Sequence, residues 1–190
     1  MRAIALRMIV TLTVVAILAG LALARSYQYA HPLIEANKLK ELKEAIFVVL
    51  PGAERYDEIQ VGKTTVYRGM DVAGSLIGYA FIASGGGFQG KLKIMIGIGS
   101  ELIALTGIRV LESLETPGLG AKITEAPFES QFSGLEISPP VQYVKNRRPD
   151  EPKAPNEIDA ITGATISSKA VVHIINTAAS AVVPALKSGG

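Results

Sequence analysis

The most hydrophobic part of the sequence is an uninterrupted segment near its start. Met8–Ala24 contains seventeen residues without a charged side chain, and about 17–25 apolar residues are enough for a helix to span a bilayer. Residues 1–25 are therefore predicted to be a membrane anchor. A cleaved signal peptide is the alternative, because Arg2 and Arg7 form a basic start and Ala22-Leu23-Ala24 resembles a cleavage site. The length of the apolar segment favours a retained anchor.

Hydrophobic residues at helical spacing follow the anchor and predict a second helix over Leu33–Leu50. His31-Pro32 precedes this helix, and Pro51-Gly52 ends it. We interpret residues 26–59 as a helix near the membrane together with its connection to the following domain.

The middle of the chain alternates β-branched and apolar residues with short glycine-rich turns, which predicts an antiparallel meander. The period-two spacing of Ile94, Ile96 and Ile98 indicates a strand that places these side chains on one face. The expected strands are Thr64–Arg68, Leu76–Ser84, Lys91–Ile98 and Leu102–Leu111.

The last third of the chain adds shorter elements and one long helix. A short helix is expected over Glu125–Phe132, with short strands at Val141–Val144 and Ile158–Ile161. Thr165 to about Lys187 has apolar residues at helical spacing, and Pro184 is expected to end or kink this helix. The fold class predicted is α+β: an N-terminal transmembrane helix, then one domain over 60–187 with an antiparallel sheet and packed helices, and a tail at 188–190.

Charge and composition exclude several classes of function. The chain has no cysteine, which excludes disulfides, thiol catalysis and cysteine-ligated iron–sulfur clusters. Arg2, Arg7 and Arg25 are the only charged residues among the first 25, so the remainder carries 16 basic and 17 acidic residues. Such a nearly neutral body with no basic stripe gives no basis for nucleic-acid binding. The basic start favours a cytoplasmic N-terminus, with the domain on the outer, periplasmic side of the cytoplasmic membrane.

Two weaker patterns do not predict a site. Gly85, Gly87 and Gly90 match a dinucleotide-binding fingerprint, but a strand follows them where that fingerprint requires a helix, so a hairpin turn is favoured. His31 and His173 are the only histidines and belong to no metal-binding motif. We expect no metal site and no catalytic residue within this chain.

A run of small and hydroxyl residues connects the last short strand to the final helix, from Asp159 to Ser168. Gly163 permits a tight turn there. A helix N-terminus offers unpaired N–H groups and a partial positive charge, which together hold a phosphate. Ordinary N-capping by Thr162 or Thr165 is the alternative interpretation, although it explains one threonine better than the whole run.

This run resembles the flavinylation motif S/T-G-A-T of the FMN-binding domain family. The family includes the G subunit of Rnf-type ferredoxin:NAD oxidoreductases and the C subunit of sodium-translocating NADH:quinone oxidoreductases. Thr162 stands where serine is common in the family, and the small hydroxyl is retained. A second segment, Glu115 to Gly120, is similar to the family's E-T-P-G-L-G loop. The chain length is more like that of the Rnf-type member.

The resemblance implies that Thr165 carries FMN covalently through a phosphoester, installed by a separate flavin transferase (ApbE type) that uses FAD and magnesium. The other cofactor-binding residues that it implies are Asp159, Thr162, Gly163, Ala164, Ser167, Ser168, Glu115, Thr116, Pro117, Gly118 and Leu119.

The function implied is that of a membrane-anchored electron-transfer subunit in an ion-translocating ferredoxin:NAD oxidoreductase complex. Its partners would be the other membrane and iron–sulfur subunits. Two alternatives remain open on the sequence. One is a covalent-FMN carrier in another extracytoplasmic or quinone-reductase chain, and the other is a non-redox, membrane-anchored binding or scaffold domain.

Overall fold

The computed structural model of the chain describes residues 2–148 and 150–188 and contains two compact units. The first unit extends to Leu42, and the second begins at Lys43. Helix α1 (Arg2–Val49) forms the first unit and contributes its final turns to the second.

The first unit is a helical segment whose apolar side chains are exposed. Its most apolar part is long and hydrophobic enough to cross a membrane, and none of that part is buried. The seventeen residues of Met8–Ala24 form a helix about 25 Å long, close to the hydrocarbon thickness of about 30 Å. The prediction of a separate helix after His31-Pro32 was wrong, since Pro32 lies inside α1. Proline lacks an N–H donor and its ring crowds the carbonyl four residues before it, yet α1 is continuous across Pro32.

Five strands of the second unit form one antiparallel sheet in which each strand pairs with its neighbour along the chain. The last four confirm the predicted meander. The first was not predicted, because it is an edge strand whose polar side chains are mostly exposed. The strands are β1 (Arg55–Val61), β2 (Thr64–Met70), β3 (Leu76–Gly86), β4 (Lys91–Gly99) and β5 (Leu105–Glu112).

The two faces of the sheet are covered by different elements. Ile94 and Ile96 are fully buried in the main hydrophobic core on one face, which confirms the predicted period-two pattern. The end of α1 covers the other face, where Leu50 is fully buried. A Cβ atom on Gly69 would lie 2.6 Å from Cδ1 of Leu50, and one on Gly78 would lie 3.1 Å from its Cδ2. Glycine at these two positions therefore lets the Leu50 side chain pack closely against the sheet.

The remaining elements complete the core on the first face. The predicted helix at Glu125–Phe132 consists of α2 (Ala126–Glu129) and a 3-10 turn that follows it. The short strands β6 (Gln142–Val144) and β7 (Glu157–Asp159) form a parallel pair outside the main sheet.

The long helix α3 (Thr165–Lys187) buries its apolar side against the main sheet. The helix continues through Pro184 to Lys187. The expectation that Pro184 could end the helix was therefore wrong. The structure confirms the α+β class, with an N-terminal apolar helix followed by an antiparallel sheet and packed helices.

Candidate functional site

The turn before α3 presents the start of the helix without a cap. Gly163 has a φ of 82°, in the left-handed region that glycine adopts without steric cost. Ala164 occupies the N-cap position, and no side chain among the described residues caps the helix. The predicted alternative of N-capping by Thr162 or Thr165 is therefore wrong. The first N–H groups of α3 lack a carbonyl partner in the helix, and with the helix dipole they favour an anion.

Two of the four hydroxyl residues at this helix start have structural hydrogen bonds. Ser168 is fully buried, and its Oγ accepts a hydrogen bond from the Ile161 N–H at 3.0 Å and donates one to the Ala164 carbonyl at 3.1 Å. Ser167 is also buried and donates a hydrogen bond to Oε2 of Glu115 at 2.6 Å. Both serines therefore stabilise the turn and its surroundings.

The two threonines of the run are less constrained. Thr162 is exposed in the turn, whereas Thr165 is half-buried as the first residue of α3. Within residues 2–148 and 150–188, the Thr165 hydroxyl makes no hydrogen bond. Among these four hydroxyl groups, only the Thr165 hydroxyl is partly buried and also without a hydrogen bond to the described residues.

The Glu115 side chain connects three separate segments around the start of α3. Its Oε1 accepts hydrogen bonds from the N–H groups of Phe88, at 2.6 Å, and Gln89, at 3.2 Å. Its Oε2 accepts the hydrogen bond from Ser167. The residue is only 5% exposed. This carboxylate therefore holds the turn between β3 and β4 next to the loop after β5 and the first turn of α3.

A cavity of about 310 Å³ opens between these three segments. This volume is within the range of about 300–1,000 Å³ that is typical of small-molecule sites. Three apolar side chains at the cavity are strongly exposed: Phe88 at 60%, Leu119 at 49% and Ile166 at 57%. The residues that line the cavity are Phe88, Glu115, Thr116, Leu119, Gly120, Gly163, Ala164, Thr165, Ile166 and Ser167.

The structure brings the two sequence motifs together, although not every expected residue lines the cavity. The expected residues that do so are Glu115, Thr116, Leu119, Gly163, Ala164, Thr165 and Ser167. Those that do not are Asp159, Thr162, Ser168, Pro117 and Gly118. Glu115 and Ser167 are 52 residues apart in the sequence, so the contact that they make between the two motifs is a product of the fold.

Three cavity residues were missing from the sequence-based prediction: Phe88, Gly120 and Ile166. Phe88 is the only aromatic residue in its glycine-rich turn. A large apolar side chain in a turn, outside any predicted core position, is a sequence signal that could have indicated a binding site. Ile166 likewise follows Thr165 at a position outside the apolar stripe of α3.

Asp159 belongs to an ion-pair network beside the site. Its Oδ1 lies 2.6 Å from Nε of Arg147, and its Oδ2 lies 3.6 Å from Nζ of Lys153. Nη2 of Arg147 lies 2.7 Å from Oε2 of Glu157. These contacts fasten β7 and the start of the turn that leads to α3.

The same network lowers the pKa values of both carboxyl groups. Burial opposes ionisation of Asp159, but the hydrogen bond from Arg147 and the charge of Lys153 outweigh it and hold the pKa of Asp159 below its usual value. The hydrogen bond from Arg147, helped by the Ala154 N–H, lowers the pKa of Glu157. Across the part of the chain that the structure describes, no three histidine or acidic side chains are grouped as a metal site would require.

Comparison with known proteins identifies the class to which this fold and site belong. The FMN-binding domain family matches residues 87–180, a range that contains both motifs and the whole cavity. The crystal structure of NqrC from Shewanella oneidensis superposes with a TM-score of 0.60 over 73% of each chain at 18% identity, which supports the fold.

Relatives of similar sequence define the family more closely. The G subunit of the ion-translocating oxidoreductase complex of Methanosarcina acetivorans is 33% identical over 90% of this chain and 91% of its own length. The chain also matches the G subunit of the Na(+)-translocating ferredoxin:NAD(+) oxidoreductase complex of Acetobacterium woodii, at 32% identity over 75% of this chain and 62% of that protein. The chain belongs to the family of G subunits of ion-translocating oxidoreductase complexes.

Proposed function

We propose that this chain is a membrane-anchored electron-transfer subunit that carries FMN covalently on Thr165. The observation that carries the proposal is the placement of the Thr165 hydroxyl. It has no hydrogen bond among the described residues, it lies at an uncapped helix start, and it lines a cavity with apolar walls. A phosphate joined to this hydroxyl would accept hydrogen bonds from the first N–H groups of α3.

The residues of the cavity suit the two parts of FMN. The start of α3 offers N–H groups for the phosphate, and Phe88, Leu119 and Ile166 offer apolar surface for the ring system. Bound FMN would supply the capacity to accept electrons and pass them on. The chain's own contribution is to attach the group, orient it and shield part of it from water.

Attachment requires a separate flavin transferase. The Thr165 oxygen would form a bond to the FMN phosphorus of FAD, the bond between the two phosphates would break, and AMP would leave while the threonine proton is released. The protein therefore gains the mass of FMN less one water. The exposed turn at Thr162–Gly163 leaves this side of Thr165 accessible to another protein.

The family relationship supports a place in a larger complex. The Acetobacterium woodii relative is named for a ferredoxin:NAD(+) oxidoreductase that translocates Na(+), and we propose that this chain serves in a complex of that kind. Electrons would reach its FMN from one partner protein and leave to another. The coupling to ion movement would reside in the assembled complex.

The covalent attachment is tested by coexpression with a flavin transferase, followed by denaturing electrophoresis with in-gel flavin fluorescence. We expect fluorescence in the native chain and its loss in Thr165→Val, which keeps the side-chain volume and removes the hydroxyl. Thr177→Val is the matched control, because Thr177 lies further along α3, outside both motifs and away from the cavity, and it should fluoresce like the native chain. Fluorescence that survives in Thr165→Val would contradict the proposal.

We further propose that α1 crosses the cytoplasmic membrane once, with the N-terminus inside and the flavin domain outside. Arg2 and Arg7 before the apolar segment support this orientation. Because the chain has no cysteine, single-cysteine variants report position without background. A membrane-impermeant thiol reagent on intact cells should label Glu101→Cys and not Ala3→Cys. The reverse pattern would contradict this topology.

A further inference from the structure

Glu115 is a buried carboxylate that lines the cavity without a basic partner. It is 5% exposed, and no ion pair to it occurs within the described residues. All three of its hydrogen bonds are donated to it by N–H or O–H groups, which is the pattern of an ionised carboxylate. Hydrogen bonds and the nearby helix N-terminus stabilise this charge without adding a formal positive charge to cancel it.

The neighbouring backbone is shaped to admit this carboxylate. A Cβ atom on Gly87 would collide with Oε1 of Glu115, and a Cβ atom on Gly120 would lie 2.8 Å from Oε2. Both positions are glycine: Gly87 lies in the turn after β3, and Gly120 begins a 3-10 turn (Gly120–Thr124) after β5. The carboxylate is thus held in one place by elements on both sides.

We propose that Glu115 lowers the reduction potential of the flavin attached to Thr165, an inference that rests on the proposed function. Reduction of the bound flavin would add negative charge to the cavity until a proton from solvent neutralised it. A fixed negative charge in the same partly enclosed cavity opposes that addition, and it does so more strongly than an exposed charge because water screens it less. Glu115 is therefore a tuning and positioning residue.

Glu115→Gln separates the charge from the hydrogen bonds. The glutamine Oε1 accepts from Phe88 and Gln89, and its Nε2 donates to the Ser167 oxygen, so the three contacts persist while the charge is lost. Spectroelectrochemical titration of the flavin-loaded full chain should show a more positive midpoint potential. We expect the ratio of reduced to oxidised protein at fixed potential to rise tenfold or more, which is about 30 mV for a two-electron couple.

Two further variants exclude other causes. Glu112→Gln removes an exposed carboxylate that pairs with Lys93 at 3.1 Å. It should change the ratio of reduced to oxidised protein at the same potential by less than about twofold, because solvent screens this charge. Ser167→Ala retains the Glu115 charge and removes one hydrogen bond, so it should not shift the potential in the positive direction.

Each outcome decides the proposal. An unchanged potential in loaded Glu115→Gln, or an equal positive shift in Ser167→Ala, would overturn the tuning role. Failure of Glu115→Gln to acquire flavin while Glu112→Gln acquires it would show a role in assembly of the site and would also overturn tuning. Absence of covalent flavin from the native chain is a different result, because it would overturn the proposed function itself together with the tuning that rests on it.

Discussion

Replacement of Leu50 by alanine is expected to destabilise the second unit strongly. Leu50 is fully buried against the sheet face where Gly69 and Gly78 lie. Leucine-to-alanine changes in cores cost about 2–5 kcal/mol, and the cost is larger where the surroundings cannot collapse into the cavity. Glycines have no side chains that can move into the space left by Leu50. We therefore expect the upper part of that range, about 3–5 kcal/mol.

The measurement is equilibrium urea unfolding of the full chain in detergent, followed by tyrosine fluorescence. The chain has six tyrosines and no tryptophan, and Tyr67 is buried in the sheet. Val48→Ala is the matched control, because Val48 lies in the last turn of α1, two residues before Leu50, but is 52% exposed. It should change the unfolding free energy by no more than about 0.5 kcal/mol. If Leu50→Ala costs no more than this control, the packing of Leu50 against the sheet does not stabilise the second unit.

Two other predictions concern the surroundings of the site. Gly163→Ala places a side chain at a φ of 82°, which costs about 1–2 kcal/mol, and it should reduce the yield of covalent flavin. Gly62→Ala, at a φ of 62° in the turn between β1 and β2, should carry a similar strain and leave the yield unchanged; equal yields in the two variants would count against a special role for the Gly163 turn. The lowered pKa values of Glu157 and Asp159 mean that the native state binds fewer protons than the unfolded state. Their stabilisation is complete above the ordinary values of 4.5 and 3.8 and is lost as the pH falls below them. Urea unfolding at a series of pH values should therefore show a steeper acid loss of stability in the native chain than in Arg147→Gln, and identical pH profiles would contradict the role of the network.

The accuracy of the fold prediction followed the strength of the local patterns. The period-two pattern through Ile94 and Ile96 arises because these two side chains face the main core. Met95 between them is also fully buried, outside that core cluster. The edge strand β1 carries little of this signal, because most of its residues are exposed. The prediction that a new helix begins after Pro32 was wrong, because proline lowers the stability of a helix without always ending it.

The site was predictable to the extent that its residues belong to contiguous motifs. Thr165 and Glu115 belong to the two motifs, and both line the cavity. Asp159 and Ser168 belong to the same motif, but their side chains bond to Arg147 and to the local backbone. Phe88 lines the cavity in a turn whose N–H groups bond to Glu115. A local sequence pattern does not reveal such a long-range contact.

Fragmentation mass spectrometry of a tryptic peptide tests the central claim most directly. Trypsin releases residues 154–169, which contain four hydroxyl side chains at Thr162, Thr165, Ser167 and Ser168. After coexpression with a flavin transferase, we predict that the added mass of FMN less one water lies on Thr165 alone. The same mass on another of the four residues, or an unmodified peptide despite an active transferase, would contradict the account.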